Sequence, residues 1–265
     1  MTNALGAYLK ARRGMVRLYD SGDDSAARRV TGSRVEEVAH AAGISASYYR
    51  RLEQGRVAMP SQQVLARLAD ALQLDASGAA YLSRLAGIRP FREPRLGAPS
   101  DLDVTLSTAL ERWSHLPAAV QTRNFDIVLI NRLFEALTNG TVQPGANFVE
   151  LFFCGEAARQ APDWEETAAH NVAALRYYGD PADVRFRELT GGLLVRDRDF
   201  RRLWSRYDAE PFDAGRSWHV AEGFGTFSLS FRNLIIPGSG GHLLTVFIAE
   251  PGSVGEAALR ELAEA

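Results

Sequence analysis

Apolar residues recur at helical spacing through the first third of the chain and at strand spacing near its end. In ALGAYLKARR, Leu5, Tyr8 and Leu9 share one face of a helix over 4–13. The stretch 17–32 is rich in Asp, Ser, Gly and Arg, has no apolar period, and reads as a loop. Ser33 and Glu36 have capping-box spacing and start a second helix, whose inward stripe is Val35, Val38, Ala39 and Ala42. Gly43 breaks that helix where a tight turn calls for positive φ. Ser45 caps a third helix, Ala46 to Gln54, and Gly55 ends it. Ser61 caps a fourth, with Val64, Leu65, Leu68 and Leu72 inward, and a fifth runs over 76–86. Five short helices predict a compact all-α domain over residues 1–88.

Residues 89–100 (RPFREPRLGAPS) hold three prolines and read as a linker. Beyond it the period changes. Residues 118–130 predict a hairpin with Arg123 and Asn124 near its turn. Helical patterns follow at 131–138, 163–178, 183–194 and 197–207. Strands are predicted at 215–221, 224–236 and 241–249, then a helix over 253–264. In FGTFSLSF, Phe227, Leu229 and Phe231 alternate with Thr226, Ser228 and Ser230, so one face is apolar. Residues 101–265 therefore predict an α+β domain, an antiparallel sheet with helices on one face.

Composition narrows the class. Apolar residues make up 46% of the chain and charged residues 23%, which suits a soluble protein with a sizeable core. No apolar run is long enough to span a bilayer, and no membrane partner is expected. One cysteine, Cys154, cannot close an internal disulfide, and a reducing cytoplasm is the expected home. The net charge of −2 conceals an asymmetry. Residues 1–90 carry 13 Lys and Arg against 8 Asp and Glu, and the remainder carries 17 against 24. A basic first third on an acidic remainder points to a polyanionic partner.

GISASYYRRLEQGR, residues 43–56, follows a helix and a tight turn, as a recognition helix does. Tyr49 and Leu52 are predicted to face the core. Ala46 and Ser47 are small enough to let the helix end approach base edges. Arg50 and Arg51 carry the fork that bonds guanine O6 and N7. Ser45, Tyr48 and Arg56 suit phosphates, and Arg34, just before the second helix, joins the DNA-contacting set.

SRVEEVAHAAGISASYYRRLEQGR, followed by PSxxVLxxLAxAL, resembles the xenobiotic-response-element (lambda-repressor-like) helix-turn-helix family over residues 4–88. The resemblance implies five helices and operator-DNA binding. It also implies a structural ion pair of Arg13, or else Arg12, with Glu53. The long loop between the first two helices departs from the pattern; its Arg28 and Arg29 suit phosphates, whereas Asp20, Asp23 and Asp24 do not. LPAAVQTRNFDIVLIN, PDWEETA, FRRLWSRYD and IAEPGS are similar to the MmyB-like regulators of actinobacteria. That resemblance implies a C-terminal PAS-like fold that accepts a small ligand. A homodimer is expected on physical grounds, because two coupled half-site readers gain effective concentration. Val35 stands where that family has a polar or basic residue, and Ile130 where it has Trp.

The expected ligand is a small amphipathic or fatty-acid-like molecule. Trp113, Trp164, Trp204 and Trp218 are candidate lining residues, and Arg123, Tyr177 and His219 candidate headgroup contacts. The competing expectation is a ligand-free dimerisation or protein-interaction platform. No zinc spacing links His40, His115, His170, His219 and His242, and neither a nucleophile elbow nor a phosphate-cradling glycine motif appears. Neither an enzyme nor a bound cofactor is expected.

Overall fold

The computed structural model describes residues 3–18, 32–57, 59–87 and 99–264, apart from the side chains of 99–104 and 157. The predicted loop over 17–32, with its Arg28 and Arg29, and the predicted linker over 89–100 lie mostly outside the described residues. The chain divides into two compact units, residues 1–92 with 202–210, and residues 93–201 with 211–265.

The first unit holds α1 (Ala4–Met15), α2 (Val35–Ala41), α3 (Ala46–Glu53), α4 (Gln62–Ala71) and α5 (Ala76–Leu85). Side-chain oxygens cap four of them. Asn3 accepts from Gly6 N at 2.9 Å, Ser45 from Tyr48 N at 3.2 Å, Ser61 from Val64 N at 3.3 Å and Asp75 from Gly78 N at 2.7 Å. Each satisfies a donor that the first helical turn leaves free. Tyr8, Leu9, Val38, Tyr49, Leu52, Leu68 and Leu82 are buried and form the core. Gly43 takes φ +64, the left-handed turn expected between α2 and α3.

The start of α2 differs from the prediction. Its cap residue is Arg34, whose backbone N–H donates to Glu37 Oε2 at 2.7 Å. Ser33 is buried instead: its hydroxyl donates to Val16 O at 2.8 Å and accepts from Leu18 N at 3.1 Å. The chain leaving α1 has its own free backbone groups, and Ser33 satisfies them. Glu36 is thereby left without the capping role and is exposed.

The second unit begins with α6 (Pro99–Arg112), across a stretch for which the apolar pattern predicts no element. Next come β1 (Ala118–Gln121), β2 (Ile127–Ile130), α7 (Arg132–Leu137), α8 (Phe148–Cys154), α9 (Glu156–Arg159), α10 (Trp164–Tyr178), α11 (Val184–Arg196) and α12 (Arg198–Trp204). Strands β3 (Ala214–Ala221), β4 (Gly225–Ile235) and β5 (Leu243–Ile248) precede α13 (Val254–Glu264). The five strands form one antiparallel sheet in the order β2-β1-β5-β4-β3.

Helices lie on both faces of the sheet, not on one. Phe247 packs on Phe134 of α7 at 5.4 Å between ring centroids, while its strand neighbour Val246 joins Leu110 of α6, Ala118 and Val120. Successive strand residues point to opposite faces, so α6 and α7 cover opposite sides. Leu106 and Leu110 of α6 shield the small and branched residues of β1 and β5.

Asn131 joins these parts. Its Oδ1 accepts from Ala118 N at 3.0 Å and Phe134 N at 2.9 Å. Its Nδ2 donates to Trp113 O at 2.9 Å and Leu116 O at 2.7 Å. One buried amide thus links the end of α6, the start of β1 and the cap of α7. Asn131→Ala strands these buried backbone groups, and urea unfolding is expected to show a loss on the order of 3 kcal/mol. A loss below about 1 kcal/mol contradicts this role.

Candidate nucleic-acid interface and candidate ligand site

Helix α3 is fixed from below. Tyr49 and Leu52 are buried, and Tyr49 Oη donates to Leu9 O at 3.4 Å. Burial pushes the Tyr49 phenol well above its ordinary range, so it stays neutral. Arg13 Nε donates to Glu53 Oε1 at 2.7 Å and Nη2 to Oε2 at 3.2 Å, a bidentate pair between largely buried side chains. Arg13 Nη1 also donates to Ser33 O at 3.1 Å. That one guanidinium ties α1 to the end of α3 and to the approach to α2. Its hydrogen bonds to Glu53 push its pKa up. Asn3 Nδ2 donates to Glu53 O at 2.6 Å, and a Cβ on Gly6 would collide with that carbonyl. The N-terminal turn of α1 therefore abuts the C-terminal end of α3 closely enough to need a glycine.

The outward face of α3 holds the sequence candidates. Ala46, Tyr48, Arg50, Arg51 and Arg56 are not buried, and Ser47 and Arg34 are exposed. Arg50 Nη2 contacts Glu36 Oε1 of α2 at 2.8 Å. The Arg51 guanidinium lies 5.9 Å from the centroid of the Tyr48 ring. Ser45 caps the helix and so is positioned at the end that carries Ala46 and Ser47.

The ligand candidates do not converge. Trp113 lines an open groove of about 440 Å³ with Leu110, Glu111, Leu129, Arg132 and Leu262, at the β2 edge of the sheet. Arg123 sits at the β1–β2 turn, with Nη2 2.9 Å from where a Cβ on Gly241 would stand. Tyr177 packs edge-on against Tyr178, with ring centroids 5.2 Å apart. Trp204 falls in the segment that groups with the helical unit.

Trp164 and Trp218 both bear on the start of α10, and His219 is set apart from them. Trp218 Nε1 donates to Asp163 Oδ1 at 2.8 Å, which fixes the start of α10 to the edge strand β3. Trp164 stacks on Phe152 at 6.1 Å, and Arg159 lies 4.7 Å over its ring. Arg159 in turn pairs with Asp197 and Asp199. His219 leaves β3 on the face opposite Trp218. Its Nε2 is 2.8 Å from Ser217 Oγ, and it packs on Phe227 and Phe247. Desolvation in that apolar setting pushes His219 down to about 4.

Two donors of α10 have no partner among the described residues: Trp164 Nε1 and Asn171 Nδ2. They are seven positions apart, so they share one face of the helix. Asn171 is almost fully buried. Asn171 is not among the candidates expected from sequence, although a lone amide between Ala168, Val172 and Leu175 on an apolar stripe is a legible signal. Among the described residues, no three or more His, Cys, Asp or Glu side chains gather to hold a metal. No described helix is long and apolar enough to cross a membrane.

The fold defines a class, a helix-turn-helix domain joined to an α+β domain built on one antiparallel sheet. Residues 4–82 match the helix-turn-helix domain family. Residues 102–262, more than half of the chain, match the MmyB-like transcription regulator ligand binding domain. The chain belongs to the MmyB-like transcription regulators. Neither matched description is of an enzyme. No curated protein matches the chain.

The His219 shift predicts a pH dependence. The unfolded chain protonates His219 near 6.5 and the folded chain only near 4. Its neutral burial therefore contributes full stability above about pH 6.5, and that contribution is lost as pH falls toward 4. The difference in Tm between the wild type and His219→Gln is expected to shrink between about pH 7 and pH 4.5. A pH-independent difference contradicts the neutral, buried imidazole.

Proposed function

We propose that the chain is a sequence-specific operator-binding regulator that acts as a homodimer and takes a small amphipathic, fatty-acid-like molecule in its second domain. The proposed domains are 1–88 and 101–265, joined by a linker over 89–100, and the proposed home is the cytoplasm. The observation that carries the reading is the division of α3. Its inward face is locked by Tyr49, Leu52 and the Arg13–Glu53 pair, while Ala46, Ser47 and Arg51 are presented outward. A helix so held can enter a major groove without reorganising. Arg51, with no carboxylate partner among the described residues, is the proposed base reader. Ser45, Tyr48, Arg56 and Arg34 are the proposed phosphate contacts, which set register. Dimerisation couples two half-sites and raises effective concentration.

For the ligand, the unpartnered donors of Asn171 and Trp164 supply what a carbonyl or carboxylate headgroup needs. The surrounding aromatic packing, with Phe152 and Phe153 against Trp164, suits an apolar tail. The ligand acts by favouring one conformation over another through differential affinity. A second reading, a ligand-free interaction platform, draws on exposed apolar residues of one sheet face, Val220, Leu234 and Ile248.

Selection of binding sites from a random duplex library is expected to return paired half-sites. Arg51→Ala should then relax one base position and weaken the selected site by about 1–3 kcal/mol. Failure to enrich any sequence contradicts the DNA reading.

A further inference from the structure

We propose that Glu36 is a specificity-determining residue of the DNA interface, acting through Arg50. The inference rests on the reading of α3 as the base-reading helix. Glu36 is a carboxylate on α2, two residues after Arg34, on the side of the unit where phosphates are proposed to lie. A bare carboxylate there repels DNA. It has no capping role, because Glu37 bonds the Arg34 N–H. Its bond is to Arg50, at 2.8 Å, with both side chains more than half exposed. An exposed pair of this kind adds little stability, in the range of about 0–1 kcal/mol. Its consequence lies in what each partner is prevented from doing.

Arg50 and Arg51 are neighbours on α3, about 100° apart around its axis. Both could reach DNA, yet their settings differ. Among the described residues, the Arg51 guanidinium has no carboxylate partner beside its contact with the Tyr48 ring. Arg50 has one guanidinium nitrogen committed to Glu36. A second free arginine would bind any nearby phosphate and raise affinity for every sequence alike. Glu36 withholds Arg50 from that use. Releasing Arg50 at a mismatched site would leave the Glu36 carboxylate unneutralised near phosphate, so the pair penalises wrong registers more than it weakens the right one. Glu36 is a positioning residue, and discrimination rather than affinity is what it supplies.

The test uses the full-length protein, the duplex selected by the wild type, and a scrambled duplex of the same length. Glu36→Gln keeps the shape and removes the charge. It should tighten binding to the scrambled duplex about fivefold and lower the selected-to-scrambled ratio by a similar factor. The log–log salt slope on the scrambled duplex should steepen by about one. In an Arg50→Ala background the same substitution should change the ratio little, because the residue it acts through is gone. An unchanged ratio for Glu36→Gln overturns the proposal, as does an undiminished effect in the Arg50→Ala background. If the wild type itself selects no sequence, the reading of α3 fails first.

Discussion

A polar group taken out of water must find a partner, and that constraint organises both halves of this protein. In the helical unit it is met by Arg13 and Glu53. Their two parallel hydrogen bonds, with Arg13 also bonding Ser33 O, place α1, α3 and the entry to α2 around one buried charge pair. Removing either partner would leave the other charge buried alone, far costlier than losing an exposed bridge. The outward face of α3 is held in position because its inward end is committed to this pair. Asn131 meets the same constraint in the second unit by filling all its amide positions with backbone partners.

The constraint is not met everywhere, and two of the exceptions underlie the proposed ligand site. Asn171 and Trp164 carry donors without partners among the described residues, on one face of α10. An accepting headgroup would recover the cost of such donors, which is the physical support for the proposed ligand. Ser217 and His219 meet the constraint between themselves, with the imidazole kept neutral by its aromatic neighbours.

Much of the fold was legible because local chemistry and packing agreed. Caps at Ser45 and Ser61, the turn at Gly43, and the alternation of β4 each follow from nearest-neighbour rules. The misreadings arose where a distant partner decided. Ser33 has the residue type and spacing of a cap, but the chain end of α1 claims its hydroxyl. The apolar residues of α6 are sparse on the helix itself and make sense only against Ala118, Val120 and Val246. The Glu36–Arg50 bond also joins residues on different helices, and no spacing rule announces it. Among ligand candidates, residue type alone could not separate Trp113, in an edge groove, from Trp164, beside an unmet donor.

Native mass spectrometry of wild type and Asn171→Leu, with extraction of anything retained, tests the central claim most directly. The account predicts a dimer of the wild type that carries a small molecule with a carbonyl or carboxylate group. It also predicts an Asn171→Leu variant that folds at least as stably but arrives empty. A wild type that remains empty after exposure to fatty acids, or a variant that retains the same molecule undiminished, would contradict it.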